Sequence, residues 1–174
     1  MTRRWTTEKR RLNSSRPLSS QTNWQELPAE SHEALRQSLL THCNKFNTTG
    51  PANVLRLLCQ ALATLCVQMS SWQGCVKDLM ANYGQSEATI PLLLEVLNVL
   101  PEEANASRVC VHPERRSHFL QELTDARQMV VAYLEGVYQN ATAKSDPGTQ
   151  EKVMSCLYGW LRWDIMVARW LAAS

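Results

Sequence analysis

Residues 91–104 read PLLLEVLNVLPEEA, an almost unbroken apolar run closed by a proline and two glutamates. No other stretch limits the possible folds so tightly. The run is too short to cross a membrane, which takes about 20 apolar residues in a helix. It is also apolar on more than one face, so it needs protein against several sides at once. Burying a leucine is worth about 1.5–3 kcal/mol, so a lone helix that left half of these residues in water would not persist.

The rest of the chain shows how that cover is supplied. From Pro28 onward, helix-length apolar patterns alternate with short breaks. They predict helices over about Ala29–Phe46, Pro51–Met69, Trp72–Tyr83, Ser86–Leu100, Pro113–Tyr138 and Thr149–Trp163. Gly84 is a natural stop for the third, and Pro101 is expected to end the fourth, because its ring opposes α geometry in the residue before it. Strands have little support, since β-branched residues nowhere alternate with polar ones over a useful length. Short connections make neighbouring helices antiparallel. A shift of 35 residues sets Leu57, Leu58, Ala61, Leu62 and Leu65 over Leu92, Leu93, Val96, Leu97 and Leu100, an internal repeat of a helical hairpin. The expected fold is therefore all-α, an α-solenoid of antiparallel helical hairpins in which each hairpin is sandwiched between its neighbours.

Charge is uneven along the chain. The first 16 residues hold six basic side chains against Glu8, while the chain as a whole carries only +2. The helical part is thus mildly acidic, which argues against a nucleic-acid-binding core. Residues 1–23 are basic and Ser-rich and lack the apolar core of a secretory signal. A disordered polar tail, a mitochondrial transit peptide and a nuclear-targeting cluster all fit that composition. The six cysteines contain no CxxC pair, and Cys59 and Cys66 fall within an apolar helical pattern as small buried hydrophobes.

Catalysis has no support. No phosphate-binding glycine loop, GxSxG or HExxH motif is present, the histidines show no ligand spacing with the cysteines, and no cofactor is expected. His42 and Cys43 are adjacent, so on a helix they point about 100° apart, a poor arrangement for a base and its nucleophile. Trp160, Trp163 and Trp170 suggest a membrane-interface anchor, but Arg162, Asp164 and Arg169 break the apolar pattern, and no membrane insertion is expected. Glu102 and Glu103 read either as a solvated loop after the fourth helix or as an acidic contact for a basic partner. Acids are slightly unfavourable at a helix C-terminus.

Several stretches are specific beyond pattern. ELPAESHEALRQSLLTH (26–42), LATLCVQMSSWQGCVKDLMANYG (62–84), IPLLLEVLNVLPEEA (90–104), PERRSHFLQEL (113–123) and SCLYGW (155–160) follow one another in order. Together, over residues 24–163, they resemble the transportin-SR branch of the importin-β (karyopherin-β) superfamily. The resemblance implies a superhelix of HEAT repeats that shuttles between cytoplasm and nucleus. Its partners would be protein cargo rich in arginine and serine, the GTPase Ran and nucleoporins. It makes the second and fourth helices part of a convex layer and the first, third and fifth part of a concave one. Arg36, Lys77, Asp78, Glu122 and Asp125 are then the candidate partner-binding groups of the concave face. Two departures accompany it: the basic 1–23 segment stands where the family has further helices, and 164–174 no longer follows the family pattern. The chain is accordingly expected to be truncated at both ends, with a cut stacking face at each.

Overall fold

The computed structural model describes the backbone of residues 28–173 and the side chains up to Met166 except that of Ala29; the basic segment 1–23 lies outside the described residues. Six helices follow in order: α1 (Ala29–Thr49), α2 (Ala52–Gln68), α3 (Cys75–Tyr83), α4 (Ile90–Asn105), α5 (Pro113–Ala143) and α6 (Pro147–Ala173). No strand occurs among the described residues.

Side-chain register fixes their directions. Arg56 of α2 faces Glu95 of α4, and Thr64, further along α2, reaches Glu103, further along α4, so these helices run parallel. Arg36 and Asn44 of α1 meet Trp72 and Tyr83, which bracket α3, again in parallel order. Gly74 and Gly84, at the two ends of α3, meet Glu122 and Tyr133 of α5 in the same order. α5 and α6 are antiparallel: Thr142 meets Gln150 near the turn, and Arg127 meets Asp164 away from it. The result is two layers, with α2, α4 and α6 side by side in one and α1, α3 and α5 in the other. The packed pairs α1–α2, α3–α4 and α5–α6 are the hairpins. This is the helical solenoid that the apolar periodicity predicts.

α4 is the centre of the molecule and packs against all five other helices. Ten of its sixteen residues are buried, among them Leu92, Leu93, Leu94, Val96, Leu97, Val99 and Leu100. α2 carries the same pattern but, among the described residues, has a helix neighbour on only one flank within its layer, and its repeat-equivalent residues are not all buried. Leu57 is exposed, whereas its counterpart Leu92 is buried. A matching apolar stripe, Met154, Tyr158, Leu161 and Ile165, is exposed on α6.

Three expectations need correction. Pro101 does not end α4, which continues to Asn105. Proline at this position removes the N–H that would bond the Leu97 carbonyl. The indole Nε1–H of Trp160 in α6 donates to that carbonyl instead, at 2.8 Å, so the proline leaves no buried acceptor unmet. Second, Glu103 is neither solvated nor available to a partner. It is 1% exposed and accepts bonds from Gln60 Nε2 (2.8 Å), Thr64 Oγ1 (3.1 Å) and the Arg108 guanidinium. These donors offset the unfavourable placement of an acid at a helix C-terminus. Only Glu102 faces solvent. Third, the sixth helix does not stop near Trp163 but runs unbroken to Ala173, through the segment set apart as a divergent tail.

The adjacent arginines of the ERR motif join the layers. Arg115 reaches back to the C-terminus of α2, with Nη2 donating to the Cys66 (2.8 Å) and Met69 (3.1 Å) carbonyls and Nε to that of Val67 (3.1 Å). Arg116 does the same for α4, donating to the carbonyls of Ala104, Ala106 and Val109. The last four carbonyls of a helix lack intrahelical donors, and that end is partly negative, so a guanidinium meets both needs. Each arginine thereby ties the start of α5 to a different earlier helix.

The cysteines are structural. Cys43, Cys59, Cys66, Cys75 and Cys156 are fully buried, and Cys110 alone is partly exposed. Burial pushes the Cys156 thiol up to about 12 and that of Cys66 well above its ordinary value, whereas hydrogen bonding with Cys59 holds the Cys43 thiol below its own, and there complete burial is what keeps a reagent away. Because the thiolate is the reactive form, a thiol reagent is expected to modify Cys110 alone in the folded protein and all six cysteines after denaturation. Intact-mass spectra read the count, and rapid modification of two or more in the folded state would contradict this packing.

Candidate functional site

Several polar side chains of α1 and α3 converge at one place. Successive turns of α1 present Arg36, Gln37, Thr41 and Asn44, and the facing turns of α3 present Asp78 and Asn82. Between them lies a groove of about 480 Å³, floored by Trp72 and closed at one end by Tyr83. The helices are in register because spacings of three and four residues place these side chains on one face of each.

Trp72 organises the groove. Its ring is 4% exposed, and its Nε1–H donates to Asp78 Oδ2 at 3.0 Å. The Arg36 guanidinium sits 4.9 Å from the ring centre, within cation–π range, and its Nη2 pairs with Glu33 at 2.6 Å. Hydrogen bonding from Gln37, together with Arg36, holds the Glu33 carboxyl below the usual carboxylate range. At the far end, Asn44 donates to the Tyr83 hydroxyl at 3.3 Å, and partial burial raises that phenol above its ordinary value. Gly74, just before α3, adopts φ +69°, a left-handed conformation that a residue with a Cβ rarely takes, and so sets the angle at which Trp72 and α3 meet.

Of the five residues singled out from sequence, Arg36 and Asp78 come together here. Lys77 and Asp125 are exposed on the same layer without joining the groove, and Asp125 accepts a bond from Gln121 at 2.9 Å. Glu122 is turned into the joint between α3 and α5, where it accepts from the Gly74 backbone N–H (3.0 Å), pairs with Arg115 Nη1 (2.9 Å) and lies 3.0 Å from His118 Nδ1. Trp72, Asn44, Asn82 and Tyr83 were not anticipated. Gln37, Thr41 and Asn44, spaced by four and three along the polar side of one predicted helix, were the available signal.

No helix among the described residues is long and apolar enough to cross a membrane. Two stacked layers of helices, with a polar groove on one and an apolar core shared between them, define a helical-repeat solenoid. Comparison with known proteins makes this specific. The sequence profile of exportin 1-like proteins matches residues 51–167. The chain is 28% identical to importin-13 of Pongo abelii over 161 residues, covering 87% of this chain and 16% of that protein. It is 31% identical to transportin MOS14 of Arabidopsis thaliana over 146 residues, covering 82% of this chain and 14% of that protein. Importin-13 of Homo sapiens is 28% identical over 151 residues, covering 82% of this chain and 15% of its own length. The chain belongs to the exportin 1-like family, within the importin-β superfamily, and spans only a small part of the length of these relatives.

Proposed function

We propose that this chain is a repeat segment of a nuclear import receptor of the transportin-SR type, and that its α1–α3–α5 layer is the concave, partner-binding face. The observation that carries the reading is the groove around Trp72, together with membership of a family whose relatives are named importins and transportins. The cargo proposed is protein rich in arginine and serine. Asp78 supports this: its side chain stays exposed while one of its oxygens accepts from Trp72, which presents the carboxylate in a set orientation to a guanidinium. The GTPase Ran and nucleoporins are the further partners of this reading, and the receptor shuttles between cytoplasm and nucleus.

Retention of the full chain on an immobilised arginine-serine peptide and on GTP-locked Ran tests it. Asp78→Asn keeps an acceptor for the Trp72 indole and removes the charge. It is expected to weaken peptide binding about tenfold, the equivalent of one charge-assisted hydrogen bond. Retention on neither bait would leave a scaffold with no transport role.

A further inference from the structure

We propose that the opposite layer holds a second recognition site, a groove between α2, α4 and α6 that takes an acidic segment of a partner protein, with an aspartate or glutamate beside an apolar residue. The groove has a volume of about 370 Å³ and is lined by one or more side chains from each of these three helices. It lies on the other layer from the Trp72 groove and does not depend on the transport reading.

Three features give it this chemistry. Trp163 lines the groove and is 3% exposed, yet its indole Nε1–H has no acceptor. That nitrogen is closed off from solvent, so a ligand oxygen would satisfy it only as the surrounding side chains shift on binding, and an unmet buried donor is costly enough to favour that shift. Trp160, one turn earlier on the same helix, differs in that its indole donates to Leu97. Two guanidiniums line the same groove. Arg162 is exposed and has no hydrogen-bond or ion-pair partner among the described residues. Arg56 is more than half exposed, and its nearest carboxylate oxygen, on Glu95, is 3.9 Å away, at the limit of an ion pair. Against these two cations the lining contains a single acid, Glu102, which is exposed. Finally, Pro101, Tyr158 and Met166 supply apolar surface at the same place, and the latter two remain exposed. A carboxylate between the arginines, with its neighbouring side chain on Tyr158 and Met166, matches both charge and hydrophobicity. Guanidinium–carboxylate pairing gives such a site direction as well as affinity.

The test uses the full chain labelled with ¹⁵N, whose six tryptophans report separately through their indole N–H resonances. Trp163→Phe identifies the Trp163 signal while keeping an aromatic ring in place. Titration with N-acetyl-Glu-Leu-amide is expected to move that resonance downfield in a saturable way. N-acetyl-Gln-Leu-amide should bind at least about tenfold more weakly, since it removes one charge-assisted contact. Arg162→Gln, at an exposed position, should weaken the acidic probe by a similar factor, and Glu102→Gln should tighten it. An unmoved Trp163 resonance with the acidic probe, or an equal response to the glutamine analogue, would overturn the proposal.

Discussion

Alanine at Arg115 is expected to lower the free energy of unfolding by about 3–5 kcal/mol, the range for breaking a largely buried ion pair by removing one partner. Arg115 and Glu122 are 10% and 14% exposed as side chains, so the surviving carboxylate would stay in a poorly hydrated place. The same substitution strips donors from the carbonyls of Cys66, Val67 and Met69 at the end of α2. It also withdraws the guanidinium from above the Phe119 ring, 5.4 Å from its centre. Arg115→Lys separates charge from shape. Lysine retains the positive charge beside Glu122 but cannot direct several fixed N–H groups at three carbonyls, so an intermediate loss is expected. Urea denaturation followed by circular dichroism reads both. An Arg115→Ala protein with an unchanged midpoint would show that α5 is not held to α2 in this way.

Trp160→Ala should be comparably damaging, at about 3–5 kcal/mol, because it empties a fully buried site between α4 and α6. The more informative substitution is Trp160→Phe. It keeps most of the ring and removes the donor that serves the Leu97 carbonyl, at an expected cost of about 1–3 kcal/mol. Pro101→Ala supplies the missing backbone N–H to that same carbonyl. A double-mutant cycle should therefore find Trp160→Phe markedly less harmful in the Pro101→Ala background. Equal cost in both backgrounds would mean that the indole does not compensate for the proline.

This pair also shows where local reasoning stops. A rule that a proline ends a helix considers the residue and the turn behind it, and at position 101 that turn lacks a donor. The donor comes from Trp160 on another helix, and nothing near position 101 in the sequence announces it. Glu103 fails for the same reason: an acid after a helix end reads as solvated until Gln60 and Thr64 are seen to lie across from it. The candidate surface was legible to the same extent. Arg36 and Asp78 were identified from sequence and do meet in a groove. Trp72, which holds them in place, reads from sequence as the start of the third helix, whereas that helix begins at Cys75 and Trp72 lies in the connection before it.

By itself the sequence determined that the chain is helical, roughly which stretches form its helices, that they stack as hairpins, and that the 91–104 run must be covered on several sides. Those properties follow from apolar periodicity, which is local, and from the free energy of burying a helix that is apolar nearly all round. The apolar run at 91–104 is such a helix, and α4 lies at the centre with a helix on every side. Only the tertiary structure decided how that helix passes its own proline, why two acids in sequence have opposite fates, and which polar groups remain available to partners. Each of these depends on hydrogen-bond donors delivered by a distant part of the chain, and buried polar groups are satisfied by whatever the fold brings within about 3 Å, not by their neighbours in sequence.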